Sequence, residues 1–156
     1  MPQFDLIIIG AGAAGSSCAG AANEKGLRVA LIERDALGGT CLNYGCDPTK
    51  TALYVAKLRQ RARQARPFGL VAENTGVDWP LLQERIQEVQ QQMRGGTVEE
   101  ARQKMRADGI ELIMGEAAFR SSNVVTVNDR DLQADHILIA TGTRSAIPDI
   151  PGLAES

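Results

Sequence analysis

Two cysteines, Cys41 and Cys46, stand five residues apart in "GGTCLNYGCDPTK" (residues 38–50), in a chain with three cysteines in all. A pair this close can be catalytic, redox-active or metal-binding. Residues five apart on an ideal helix lie about 8–9 Å apart at Cα, whereas a disulfide needs Cα atoms within about 6.8 Å. The two can therefore bridge only if residues 42–45 leave regular helix, and Asn43 and Gly45 tolerate such conformations. A helix starting nearby would lower the thiolate pKa of a cysteine at its start. A staple across so short a loop removes little chain entropy, so the spacing reads as a strained, reducible bridge. Zinc prefers closer cysteine spacing and more ligands, and only Cys18 and His136 remain to supply them. Two inert buried thiols stay open as the plain alternative.

Upstream lies "GAGAAG", a G-x-G-x-x-G with Gly10, Gly12 and Gly15. It follows the apolar, β-branched run "DLIIIG" and opens an alanine-rich segment that Gly26 closes. "LRVALIE" then ends at the acidic Glu33. Strand, helix, strand and terminal acid are the full context of a dinucleotide site. Gly10 makes the tight turn, Gly12 lets backbone approach a pyrophosphate, and Gly15 lets helix pack on strand. The helix N-terminus supplies N–H groups for phosphate, and Glu33 can accept ribose hydroxyls. A small-residue helix packed on a sheet for steric reasons alone is the competing reading. Glu33 does not decide between NAD and FAD.

The elements that position these residues predict an α/β fold. A parallel sheet is expected from "FDLIII", "RVALIE", 111–114 and "HILIA", with a helical excursion over about 49–107 standing apart from it. Leu82, Ile86, Val89 and Met93 form one stripe on a long helix. Thr97 and Glu100 form a capping box for the next helix, with Ala101 and Met105 inward. A small antiparallel meander is expected to hold 117–119 and 124–127. The length of 156 residues, 44% hydrophobic, suits one domain. A net charge of -2 gives no reason to expect nucleic acid or an anionic membrane as partner. The apolar N-terminus lacks the positive lead of a signal peptide, and no run reaches the ~20 residues of a membrane span. The chain reads as soluble and cytoplasmic.

"GGTCLNYGCDPTK" closely resembles the redox signature of the class I pyridine nucleotide-disulfide oxidoreductases, a flavoprotein family that includes dihydrolipoamide dehydrogenase, glutathione reductase and mercuric reductase. The resemblance extends from "IIIGAGAAG" to "ILIATGTR". It implies a Rossmann-like FAD-binding domain and FAD at the glycine motif. Cys41 would be the thiol that exchanges with substrate, and Cys46 the charge-transfer thiolate against the flavin. Lys50 would stabilise negative charge on the reduced ring. Gly39 and Thr40 would contact phosphates and ribitol, Ala117 the adenine, and Thr141 and Gly142 would run along the cofactor. Ala13, Ala14, Arg34, Gly45 and Ala140 belong to the same surroundings. Asp47 departs from the usual apolar residue and would raise the Cys46 thiolate pKa if it faced the sulfur. "PTK" leans weakly toward the mercuric-reductase-like branch.

No second G-x-G-x-x-G follows, so the chain reads as the N-terminal part of an enzyme whose NAD(P)H-binding and dimerisation domains are absent. The parent would be a homodimer passing electrons from NAD(P)H through FAD to the cysteines, and on to a small-molecule or metal-ion acceptor. The fragment alone would be inactive. The alternative is a stand-alone nucleotide-binding or redox-relay module without turnover, which an intact mass of the source protein would separate. His136, at a strand edge, matches no family base. The basic run "KLRQRARQAR" reads as a solvated helix face that could steer an anionic substrate.

Overall fold

The computed structural model describes residues 3–72 and 75–153. Residues 73–74, inside the expected helical excursion, lie outside the described residues. The short β-branched runs form the strands β1 (Phe4–Ile9), β2 (Val29–Glu33), β3 (Ile110–Met114), β4 (Ala118–Ser121), β5 (Val124–Val127) and β6 (Arg130–Ile139). Their order is β3-β2-β1-β6-β5-β4. β3, β2, β1 and the second half of β6 run parallel. The first half of β6 pairs antiparallel with β5, and β5 with β4. The meander begins one residue later than the sequence suggests, because Ala117 stays outside β4.

Alternation along the strands sends side chains to two faces. Ile8, Val29, Leu31 and Leu112 pack with Ala19 and Ala22 of α1 (Ala13–Glu24). Ile7, Ala30, Ile32 and Ile113 pack instead against Val125, Val127, Leu132 and Ala134 of the meander. Ile7, Ile8 and Leu31 are fully buried, and each such side chain contributes about 1.5–3 kcal/mol. The alanine-rich face of α1 permits close approach to the sheet. At Gly15 a Cβ would collide with the Gly10 carbonyl oxygen.

Four further α-helices follow among the described residues: α2 (Gly39–Asn43), α3 (Cys46–Gln64), α4 (Trp79–Arg94) and α5 (Val98–Ala107). Asp78 caps α4, its carboxylate accepting from Leu81 N at 3.1 Å, and Pro80 sits in the first turn. The Thr97–Glu100 capping box forms as expected, with Thr97 N donating to the Glu100 carboxylate at 2.7 Å and Glu100 N donating to Thr97 Oγ1 at 3.2 Å. The excursion does not stand apart as a unit. α3 and α4 pack on each other and α3 buries no residue, but α5 lies on the sheet through Ala101 and Met105. The α4 stripe is buried only at Leu82, and Met93 is exposed. Toward its C-terminus α4 turns polar side chains, Gln90 and Arg94, onto α2.

Asp5 ties the start of β1 to Arg28. The Arg28 guanidinium donates to both Asp5 carboxylate oxygens, at 2.7 and 3.1 Å, and its backbone N–H donates at 2.7 Å. These bonds hold the Asp5 carboxyl at about 2, below its ordinary 3.8. The folded value lies below the unfolded one, so the stabilisation is complete above about pH 4 and is lost as pH falls through about 2. Asp5→Asn should flatten the acid limb of the stability curve in that window, read as unfolding free energy from denaturant titrations at a series of pH values, and an unchanged pH dependence would refute the pairing. Gly15→Ala should lower unfolding free energy by about 1–3 kcal/mol through overpacking, read from the denaturation midpoint.

Candidate functional site

The turn from β1 into α1 is the first wall of the site. Gly12 caps α1 with no side-chain hydrogen bond, and no acid occupies the first turn. The N–H groups there are left for an anion. A Cβ built on Gly12 would meet nothing closer than Gly39 Cα at 3.8 Å, so this glycine keeps space open. Glu33, at the end of β2, accepts from Ala11 N and Asp35 N, each at 2.9 Å. One carboxylate thus fixes the glycine turn and its own following loop. A carboxylate has about four acceptor positions, so capacity remains for hydroxyls.

These pieces line a groove of about 610 Å³, within the range of small-molecule sites. Gly10, Gly12, Glu33 and Arg34 form one side, and Gly39 and Thr40 the next. Ala117 and the run Ala140, Thr141 and Gly142 close it from the far strands. Ten residues expected at a cofactor therefore meet in one cavity, although they come from five separate stretches of chain. Ala13, Ala14 and Gly15 sit behind it in the first turn of α1. Sequence reasoning missed Asp35, Tyr44, Glu116, Thr143 and Arg144 in the wall. Arg144 continues the "ATGTR" run, a signal that was present. Tyr44 was not legible, because its place depends on a long-range bond in which its hydroxyl donates to the Asp35 carboxylate at 3.0 Å. That bond holds the Tyr44 phenol above its usual range.

Cys41, Gly45, Cys46 and Lys50 do not line the groove; they lie just beyond Thr40. Gly38 N donates to Ala11 O at 3.0 Å, which fastens this segment to the glycine turn. Cys41 is in α2, and Cys46 is the first residue of α3. Between them the helix breaks at Tyr44 (φ −130°, ψ −9°) and Gly45 (φ −124°, ψ −98°). The departure from regular helix that bridging requires is therefore present. Both cysteines are unbridged and exposed. Interaction with the Cys46 side chain is the main influence raising the Cys41 thiol above its usual range; loss of solvent and the charges of Cys46 and Asp47 add to it. Asp47, considered above for its effect on Cys46, adds to the shift of Cys41. Lys50 lies four residues after Cys46, on the same face of α3.

A larger hollow of about 780 Å³ lies between α3 and α4. It is apolar and offers Arg59 and Arg63 but no carboxylate, cysteine or histidine, so the chemistry belongs to the smaller groove. Among the described residues no helix is long and apolar enough to cross a membrane, and no His/Cys/Asp/Glu cluster could hold a metal ion. Cys18 packs against the core, and His136 is an exposed residue of β6 paired with Leu6.

The arrangement has counterparts. The chain is 39% identical to a mercuric reductase of Staphylococcus aureus over 98% of its own length and 27% of that protein's. It is 34% identical to a dihydrolipoyl dehydrogenase of Acholeplasma laidlawii, over 99% and 45%. Among solved structures it matches the HOCl-induced flavoprotein disulfide reductase RclA of Escherichia coli, in its Cu(II) complex, with a TM-score of 0.71 and 29% identity, covering 97% of this chain and 31% of that one. The chain thus spans less than half the length of these relatives. Residues 4–156 match the family described as Pyridine nucleotide-disulphide oxidoreductase, and the chain, with a groove whose implied cofactor is FAD, belongs to that family.

Proposed function

We propose that the chain is the FAD-binding part of a flavoprotein disulfide reductase whose Cys41–Cys46 pair cycles between disulfide and dithiol. One observation carries the reading: two exposed, unbridged cysteines flank a helix break, on a segment that Gly38 fastens to the nucleotide turn. The residues of the groove fit FAD. The open space at Gly12 and the uncapped α1 N-terminus suit a pyrophosphate, and Glu33 suits the adenosine ribose. Gly39, Thr40, Ala117, Thr141 and Gly142 would hold the rest. When bound, FAD supplies a two-electron carrier between a nicotinamide donor and the sulfurs.

The chain's own residues then do the thiol chemistry. Two electrons and two protons open the Cys41–Cys46 bond to the dithiol. The bond closes again when both electrons pass to the acceptor; the two protons go with them to a disulfide, or to solvent when the acceptor is a metal ion. Cys41, exposed and on the α2 side of the break, is the exchange partner for substrate. Lys50 offers a fixed positive charge to the reduced ring. The acceptor is a disulfide or a metal ion, in keeping with relatives named for dihydrolipoyl and mercuric substrates. NAD(P)H is the donor and a homodimer the working form of the whole protein.

Glu33→Ala should weaken FAD retention by about 1.5–3 kcal/mol for each lost hydrogen bond to the carboxylate, measured by flavin release on dilution. Unchanged retention would remove Glu33 from the ribose site. In the FAD-loaded full-length protein, two-electron reduction should give a long-wavelength absorbance band that Cys46→Ser abolishes. Cys41→Ser should show the band without reduction, because Cys46 has lost its partner. A band that survives only in Cys46→Ser reverses the two roles.

A further inference from the structure

Only Leu42, Asn43, Tyr44 and Gly45 separate the two cysteines, and two of these four are held by groups distant in sequence. A five-residue helix leaves its last carbonyls without partners inside the helix. For α2 the partner comes from α4: Gln90 Nε2 donates to Leu42 O at 3.1 Å and to Asn43 O at 2.9 Å. One turn further along α4, Arg94 Nη2 donates to Asn43 Oδ1 at 3.0 Å. The other end of the Asn43 amide donates to Gly39 O at 2.9 Å and Leu37 O at 3.2 Å. Asn43 is thus a bridge from the loop before α2, through its C-terminus, to α4. Tyr44 is held separately by Asp35.

Gln90 lies in the run "QEVQQQ", which by composition is a solvated helix face. The structure half-buries it and spends both of its donor bonds on the cysteine segment. Arg94 is also half-buried, and its Nε is enclosed with no hydrogen-bond partner. An enclosed, unpaired donor is a cost that a solvated arginine would not carry. Residues four apart on one face of a helix act together, and both address the same short peptide.

We propose that Gln90 and Arg94 are positioning residues for the Cys41–Cys46 pair: by gripping the α2 C-terminus from α4 they hold, in the dithiol form, the helix break that bridging requires and so favour bridge closure. The proposal rests on the redox reading above. With the clamp in place, the dithiol has little conformational freedom to lose when the bridge forms. Without it, α2 can fray or run on, the break is no longer fixed, and closure must restrict a looser chain. Loss of the clamp therefore moves the equilibrium toward the dithiol.

The test is an equilibrium of the full chain with mixtures of reduced and oxidised dithiothreitol, read by alkylation of Cys41 and Cys46 and mass. In this exchange the protein thiols lose two electrons and two protons as their S–S bond forms, and the dithiothreitol disulfide takes them up as its own bond breaks. Gln90→Glu is isosteric but presents no donor to the two carbonyls. It should shift the midpoint toward dithiol by about tenfold in the equilibrium constant, which is about 30 mV for a two-electron couple. Gln90→Lys, which keeps a donor at that reach, should recover most of the shift. Gln91→Glu makes the same charge change on the exposed neighbour and should leave the midpoint where it was. Arg94→Met should shift it in the same direction as Gln90→Glu. A Gln90→Glu midpoint equal to that of Gln91→Glu, or displaced toward disulfide, overturns the clamp while leaving the redox pair intact. A parent chain that forms no Cys41–Cys46 bridge at any ratio overturns the redox reading itself, and the clamp with it.

Discussion

Two backbones with no side chains between them meet where Gly12 faces Gly39. A Cβ on Gly39 would stand 2.8 Å from Gly12 Cα, closer than any packed side chain allows. Gly38 N reaches Ala11 O across the same contact. The nucleotide turn and the cysteine segment are thereby fixed to each other before any ligand is considered. The groove inherits its width from this approach, and α2 begins from it with Cys41 two residues on. A side chain at Gly39 would push the cysteine segment away from the turn, and the rest of the site would lose its reference point.

Behind that contact the sheet supplies rigidity. Ile8 and Leu31 on one face, and Ile7 and Ile32 on the other, are closed to solvent by different partners, helices on one side and the meander on the other. β1 cannot shift in register without turning its buried residues outward. Gly10, which follows β1 directly, is held by Ile32 O at 2.8 Å. The position of the glycine turn is thus determined by the packing of its strand. Glu33, two roles in one carboxylate, then sets the loop on either side of the groove.

Much of this was legible in the sequence because it depends on local spacing. The glycine pattern, the acid at the end of β2, the broken helix between the cysteines and the capping box at Thr97 are each set by residues a few positions apart. What was not legible depends on contacts across tens of residues. Nothing near Gln90 announces that its amide closes α2, since a glutamine on a polar helix face reads the same with or without a distant partner. The exposure of Met93 had no local signal, because the apolar stripe of α4 is longer than the surface α3 offers it. α5 was expected to stand with its neighbours, but the same Ala101 and Met105 that were read as inward take it to the sheet.

β6 changes partners along its length, antiparallel to β5 at its start and parallel to β1 at its end. The first strand of the chain is therefore completed by the last of the described strands. During synthesis β1 and β2 leave the ribosome with one edge of the growing sheet open and apolar until β6 follows. Closing such a distant pairing is slow, because the loop entropy must be lost before the contacts form. An open apolar edge also invites pairing with other chains. The strand that carries Ala140 and the far wall of the groove thus also governs when the nascent protein stops being vulnerable to aggregation.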